Sequence, residues 1–142
     1  MTATQIEVRD RLEIQDLYAA VVGFLDAGAA DAFVACFTED ATFSSTSGLH
    51  LTGHEDLRRF ATEFHERARR RDVRPRHLVA SVLLEQAGPD VVGSCLSFLV
   101  ETPRGGQPAL AIAASYSDRL RRDPDAWRFA SRVVARDGEA DR

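Results

Sequence analysis

Of the four histidines in this chain, only His77 stands inside an apolar run, the stretch from Arg74 to Leu84. An imidazole that titrates near neutrality can take and give a proton, as enolisation, dehydration or aldol closure requires. On a pleated strand alternate side chains share a face. The spacing therefore places His77, Val79, Ser81 and Leu83 on one side, and Leu78, Ala80, Val82 and Leu84 on the other. Both sets are largely apolar, which predicts a strand covered on both faces. A histidine in such a strand must be hydrogen-bonded or must line a cavity. Further along, Tyr116 and Asp118 lie two apart and share a face. The phenol is a candidate hydrogen-bond donor to a substrate oxygen, and the acid has Arg132 on the next strand as a candidate ionic partner.

Other chemistries find no support in the spacing. The histidines form no HxH or HExxH pattern, and Cys36 and Cys95 form no CxxC, so no metal is implied. Two buried free thiols are the simpler reading of these cysteines. No GxGxxG, Walker loop or GxSxG is present, so neither a nucleotide cofactor nor a serine nucleophile is indicated. His54 and His65 belong to a helical segment and are expected to face water, and His50 to lie in a loop. Asp40 reads as a turn or cap residue.

The elements that must position these residues follow from periodicity. Apolar residues recur at helical spacing from Ile6 to Leu25, including Leu12, Leu17, Tyr18 and Val22, and Gly28 suits a left-handed cap. Tyr18 lies on the apolar stripe, where it is a core residue first and a substrate contact second. A short helix carrying Phe33, Val34, Cys36 and Phe37 follows. Thr38-Glu39-Asp40 reads as a turn, Ala41 to Ser45 as a short strand and Ser47-Gly48 as a loop. A third helix opens at Gly53 and runs through Leu57, Phe60, Ala61 and Phe64 to an arginine-rich end at Arg71. Cations there suit the helix dipole. After the His77 strand come three more, about Val91 to Glu101, Ala109 to Arg121 and Trp127 to Asp137, joined by turn-forming segments. Helices first and strands after predict an α+β plan, with helices packed on one face of a curved, mostly antiparallel sheet. Gly138 to Arg142 are expected to fray.

With 142 residues the chain is long enough for one domain, 1–142, with its own core. The net charge of −4 argues against nucleic acid or an anionic membrane as partner. All basic residues are arginine, interleaved with acids. The start, Met1 to Gln5, lacks the basic and apolar segments of a signal peptide, and no run is long enough to span a membrane. A cytoplasmic location is expected.

The ordered set Glu13 to Tyr18, Cys36 to Phe43, Gly53 to Leu57, Arg76-His77, Tyr116 to Asp118 and Trp127 to Arg132 resembles the SnoaL-like branch of the NTF2-like superfamily. The resemblance spans nearly the whole chain. It implies a cone of three helices closed over a strongly bent sheet, with a deep pocket at the wide end. Its members include polyketide cyclases, dehydratases and ketosteroid isomerases, and also non-catalytic binders, so the fold leaves the reaction open.

The resemblance also implies site residues. Asp26 and His77 fall where scytalone and bile-acid dehydratases keep an Asp–His pair, in which the carboxylate fixes the imidazole tautomer and stabilises the imidazolium. The competing reading is a structural histidine, with Asp26 a helix-end residue. The chain departs from that dehydratase pattern at Leu25 and Ser45, where tyrosines would stand, and at Glu101, where a second histidine would. Relatives that use a lone cavity carboxylate as base leave that role open to Glu101 or Asp118. The expected pocket is apolar, lined by Phe24, Phe37, Phe43, Phe60, Phe64, Val79, Cys95, Leu99 and Ala114. Such a pocket suits a hydrophobic or aromatic, polyketide-like ligand. One reading is therefore a cofactor-independent cyclase, isomerase or dehydratase. In it His77 is the general acid/base, Asp26 orients it, and Tyr116 or Ser45 holds a substrate oxygen. Glu101, Tyr18, Phe43, Phe60 and Phe64 then belong to the substrate site. The other reading is a binding or accessory protein with the same fold. Homodimerisation is expected through a sheet face carrying Trp127, Val133 and Ala135.

Overall fold

The computed structural model describes residues 5–139. In chain order these form α1 (Val8–Ala27), α2 (Ala30–Ala35), β1 (Phe37–Ser45), β2 (His50–Thr52), α3 (Gly53–Arg70), β3 (Val73–Ala87), β4 (Asp90–Pro103), β5 (Ala109–Arg122) and β6 (Trp127–Arg136). One six-stranded sheet runs in the order β2-β1-β6-β5-β4-β3. Among the described residues only the β1–β6 pairing is parallel. The helices pack on one face of this sheet, as expected for an α+β fold. Strands β3 to β5 form the two longest antiparallel ladders of the sheet.

Local chemistry explains the helix ends. Gly28, at φ 75°, closes α1 with its N–H directed back to Leu25 and Phe24, a left-handed conformation that glycine adopts freely. Helix α3 begins with Glu55 and Asp56 and ends with Arg67, Arg69 and Arg70, so both ends complement its dipole. Ile14, Tyr18 and Val21 of α1, Phe33 of α2 and Leu57 of α3 are sealed against Phe37, Val91, Leu120 and Phe129 of the sheet. Tyr18 meets Phe129 edge-on, with ring centroids 5.1 Å apart, the geometry the ring quadrupoles favour. Both cysteines are free and buried.

Several local expectations are corrected. Thr38, Glu39 and Asp40 lie within β1 rather than in a turn, and Thr38 is fully buried. His50 opens the short strand β2, which has no apolar pattern of its own. In β3 the pairing register shifts between Ala80 and Leu83, and Ser81 adopts φ 57°. This bulge reverses the alternation. Val82 and Leu84 turn to the core, while Leu83 is 72% exposed. The outer face of the strand is not covered either, since Leu78 is 53% exposed. Trp127 is buried with its Nε1 donating to Asp10 at 3.0 Å, so it offers no surface for dimerisation, although Val133 remains exposed. The expected fraying of Gly138 to Arg142 concerns residues of which 140–142 lie outside the described stretch. Among the described residues no helix is long and apolar enough to cross a membrane.

Candidate active site

A cavity of about 480 Å³ opens between the helices and the concave face of the sheet. Val21, Val22 and Leu25 of α1, Phe33 of α2, and Phe60, Phe64 and Ala68 of α3 form one wall. Phe43, Leu99, Ile112, Ala114 and Val134 of the sheet form the other. Phe43 and Phe60 lie 5.2 Å apart between ring centroids. The volume lies within the range for pockets that enclose a drug-sized molecule.

His77 lines this cavity from β3. Strand β3 is an edge of the sheet, so its outward backbone groups have no strand partner. Asp26, in the last turn of α1, fills that gap. Its Oδ2 accepts the His77 backbone N–H at 2.5 Å, and its Oδ1 lies 2.6 Å from His77 Nδ1. An ionised carboxylate only accepts, so Nδ1 carries a proton, and it is Nε2 of the neutral ring that has the lone pair, on the far side. Among the described residues Nε2 has no hydrogen-bond partner, and it is not sealed from solvent. The Phe64 ring packs beside the imidazole, with centroids 5.5 Å apart. A one-turn shift of α1 would break both contacts.

Tyr116, from β5, lines the deeper part of the cavity. Its hydroxyl oxygen accepts from Ser97 at 2.9 Å, leaving its own hydrogen free to donate. Burial pushes the phenol above its ordinary pKa, which keeps that hydrogen in place at neutral pH. Arg132 lies beneath, 4.1 Å from the Tyr116 ring centre. It donates to Asp118 through Nε at 2.8 Å and Nη2 at 3.0 Å. Burial works against this charge, and the Asp118 carboxylate more than offsets it, holding the guanidinium above its ordinary range.

The other sequence candidates fall into place around this frame. Tyr18 does not reach the cavity: it is buried in the core, and its hydroxyl donates to Asp118 at 2.6 Å. Burial, then the neighbouring carboxylate, drives its pKa far upward. Asp118 is correspondingly no lone base, because both its oxygens are held by Tyr18 and Arg132. Glu101 does line the cavity, but Arg71 grips it with two hydrogen bonds, of 2.7 and 3.1 Å. Ser45 lines it with its hydroxyl engaged by Ser47 and by the Leu49 N–H. Phe37 and Cys95 belong to the core, and Phe24 and Val79 pack against it, so none of these four is in the lining. His54 donates Nε2 to the Phe37 carbonyl at 2.8 Å, and His65 packs against Gly28; neither simply faces water. The sequence reading missed Ser97, Arg67, Arg71, Arg132 and Arg136 as lining residues. Arg67, Arg71 and Arg136, near helix and strand ends, gave no periodic signal, and Arg132 was read only as the partner of Asp118, whereas Ser97 shares a face with Leu99 and could have been found from it.

A family model described as a SnoaL-like domain matches residues 7–133. The chain belongs to the SnoaL-like domain family. No curated protein matches its sequence. Among solved structures, it is 29% identical to Rv3472(D26N), a function unknown protein from Mycobacterium tuberculosis, with a TM-score of 0.80 over 93% of this chain and 74% of that one. An NTF2-like protein with a cystatin-like fold from Novosphingobium aromaticivorans is 21% identical, with a TM-score of 0.83 over 94% of this chain and 86% of that one. That likeness places the SnoaL-like chain in the NTF2-like fold. A protein from Catenulispora acidiphila, solved in complex with S-DNPA, is 25% identical, with a TM-score of 0.81 over 92% of this chain and 96% of that one.

Proposed function

We propose that this SnoaL-like protein is a cofactor-independent acid–base enzyme, a cyclase, isomerase or dehydratase, acting on a hydrophobic or aromatic small molecule. The observation that carries the reading is the 2.6 Å contact between Asp26 and His77 Nδ1, made while the imidazole lines an apolar cavity. His77 Nε2 takes a proton from the carbon next to a substrate carbonyl. Asp26 stabilises the imidazolium that results. The Tyr116 hydroxyl, backed by Arg132, donates to the oxygen on which the enolate charge collects. His77 then returns the proton to a second carbon, to a departing hydroxyl or to a new alkoxide, giving isomerisation, dehydration or ring closure.

Exchange of an enolisable ketone tests the first step without knowledge of the natural substrate. Incubated in D2O, the protein should speed deuterium uptake at the α-carbon of 2-tetralone, and His77→Ala should lower that rate by about 10²-fold or more. An unchanged rate in the variant would remove His77 from the mechanism.

The second reading is a binding or accessory protein. It is favoured by Ser45 and Glu101, whose polar groups are already engaged within the protein. In that case 2-tetralone binds but takes up deuterium no faster than in buffer alone. We also infer a homodimer, formed through the outer sheet face that exposes Leu78, Leu96 and Leu110. A sedimentation mass of one chain at micromolar concentration would overturn it.

A further inference from the structure

The charge facing the cavity has the opposite sign from the charge of the chain. The whole sequence carries −4. The cavity is lined by four arginines, Arg67, Arg71, Arg132 and Arg136, against two acids, Glu63 and Glu101. Two of these arginines are neutralised. Arg71 forms its bidentate pair with Glu101, and Arg132 is paired with Asp118 behind the wall. Asp118 is not itself in the lining, so only the cationic partner of that pair is turned to the cavity.

Arg67, on the last turns of α3, and Arg136, at the end of β6, are different. Both are exposed and both line the cavity, and neither forms an ion pair with a described residue. One comes from the helical wall of the cavity and the other from the sheet wall, and their exposure puts both on its open side. Planar guanidinium groups recognise carboxylates by paired hydrogen bonds. Glu63 opposes them with a single charge. Apolar walls around such an opening concentrate the field and favour an anion over its neutral counterpart.

We propose that the ligand of this cavity is an aromatic carboxylate, its rings held between the phenylalanines and its carboxylate read by Arg67 and Arg136 at the mouth. This deepens the substrate reading above and rests on the cavity being a ligand site. Orientation follows: the anion is anchored at the opening, and the uncharged rings extend inward past His77.

The test uses binding rather than turnover. Anthracene-2-carboxylate and the neutral anthracene-2-carboxamide share one ring system, and both can be titrated by their fluorescence. The carboxylate should bind about tenfold more tightly at ~10 mM salt, where charges are screened only beyond roughly 30 Å, and the gap should close at ~1 M salt. Arg67→Gln/Arg136→Gln, two exposed changes that leave the core intact, should lower carboxylate affinity about tenfold and leave the carboxamide unchanged. The ratio of the two affinities should survive His77→Ala, whatever that change does to both together, because the imidazole contacts the rings and not the carboxylate; this separates the inference from the catalytic one. Equal binding of the two probes, or equal loss of both in the double variant, would overturn the charge reading alone. Binding of neither would overturn the cavity reading and this inference with it.

Discussion

Asp26 holds His77 twice, by the backbone N–H at 2.5 Å and by ring Nδ1 at 2.6 Å. One carboxylate thus sets both the position of the strand edge and the tautomer of the ring. The two effects can be separated by substitution, because the first needs only an acceptor and the second needs a carboxylate.

In Asp26→Asn an amide replaces the carboxylate with little change in shape. The nitrogen-15 spectrum of His77 should show a proton on Nδ1 in the parent and a shift toward the Nε2–H tautomer in the variant. The backbone contact survives through the amide oxygen, so the fold should stay intact. Asp26→Ala removes both contacts and should destabilise by about 1–3 kcal/mol in urea denaturation, since an edge N–H is left without its partner. A parent spectrum already dominated by Nε2–H would overturn the assignment.

The Arg132–Asp118 pair is sealed, with side chains only 3% and 0% exposed. Removing one partner leaves a buried charge, so Arg132→Met should cost about 3–5 kcal/mol. Arg132→Met/Asp118→Leu removes both charges and should be clearly less harmful than the single change, though Tyr18 then loses its acceptor. Urea midpoints of the three proteins decide this. A double variant at least as unstable as Arg132→Met would mean that packing, not charge, dominates there.

These predictions rest on contacts that were legible to different degrees in the sequence. The order of elements could be read because apolar residues recur at helical spacing along α1, although Val8 and Leu12 turn out to be exposed, because turn-forming residues separate the long strands, and because Gly28 ends α1 in the conformation that only glycine adopts freely. The bulge at Ser81 could not be read. A serine with φ 57° carries no residue signature, yet it reverses every inward side chain after it. Asp118 with Arg132 was visible as two opposite charges on neighbouring strands. That Tyr18 completes the cluster was not, since it closes across 100 residues of sequence. The arginines of the cavity mouth lay beyond pattern reading for a further reason: charged residues at element ends look alike whether they face a pocket or open water.

Gly93 stands where β4 passes the tip of Tyr18, and an added methyl would fall against the Tyr18 hydroxyl and within 3.1 Å of Leu84. The ring cannot swing away without giving up Asp118. Gly93→Ala should therefore destabilise by about 1–3 kcal/mol, the range for overpacking a filled core. The same change made in Tyr18→Phe should cost less, because the atom it strikes is gone. Thermal or urea unfolding of the four proteins gives the coupling directly, and additive effects would show that the strain lies elsewhere.

The thiols give the pH dependence. Burial pushes both Cys36 and Cys95 up from about 9 to about 11. Below pH 9 the folded and unfolded chains both keep these protons, and the thiols make no difference to stability across that range. Between pH 9 and 11 the unfolded chain ionises its thiols while the folded chain does not, so stability should fall as pH rises through that window. Reactivity follows the same shift. At pH 8 only about 10⁻³ of either folded thiol is thiolate, compared with roughly a tenth in the unfolded chain. Ellman's reagent should thus leave the native protein nearly unlabelled at pH 8 and modify two thiols at once in denaturant. Cys36→Ser and Cys95→Ser assign any residual rate to one site. Rapid native labelling at pH 8 would show that the strands around these residues open far more readily than their burial implies.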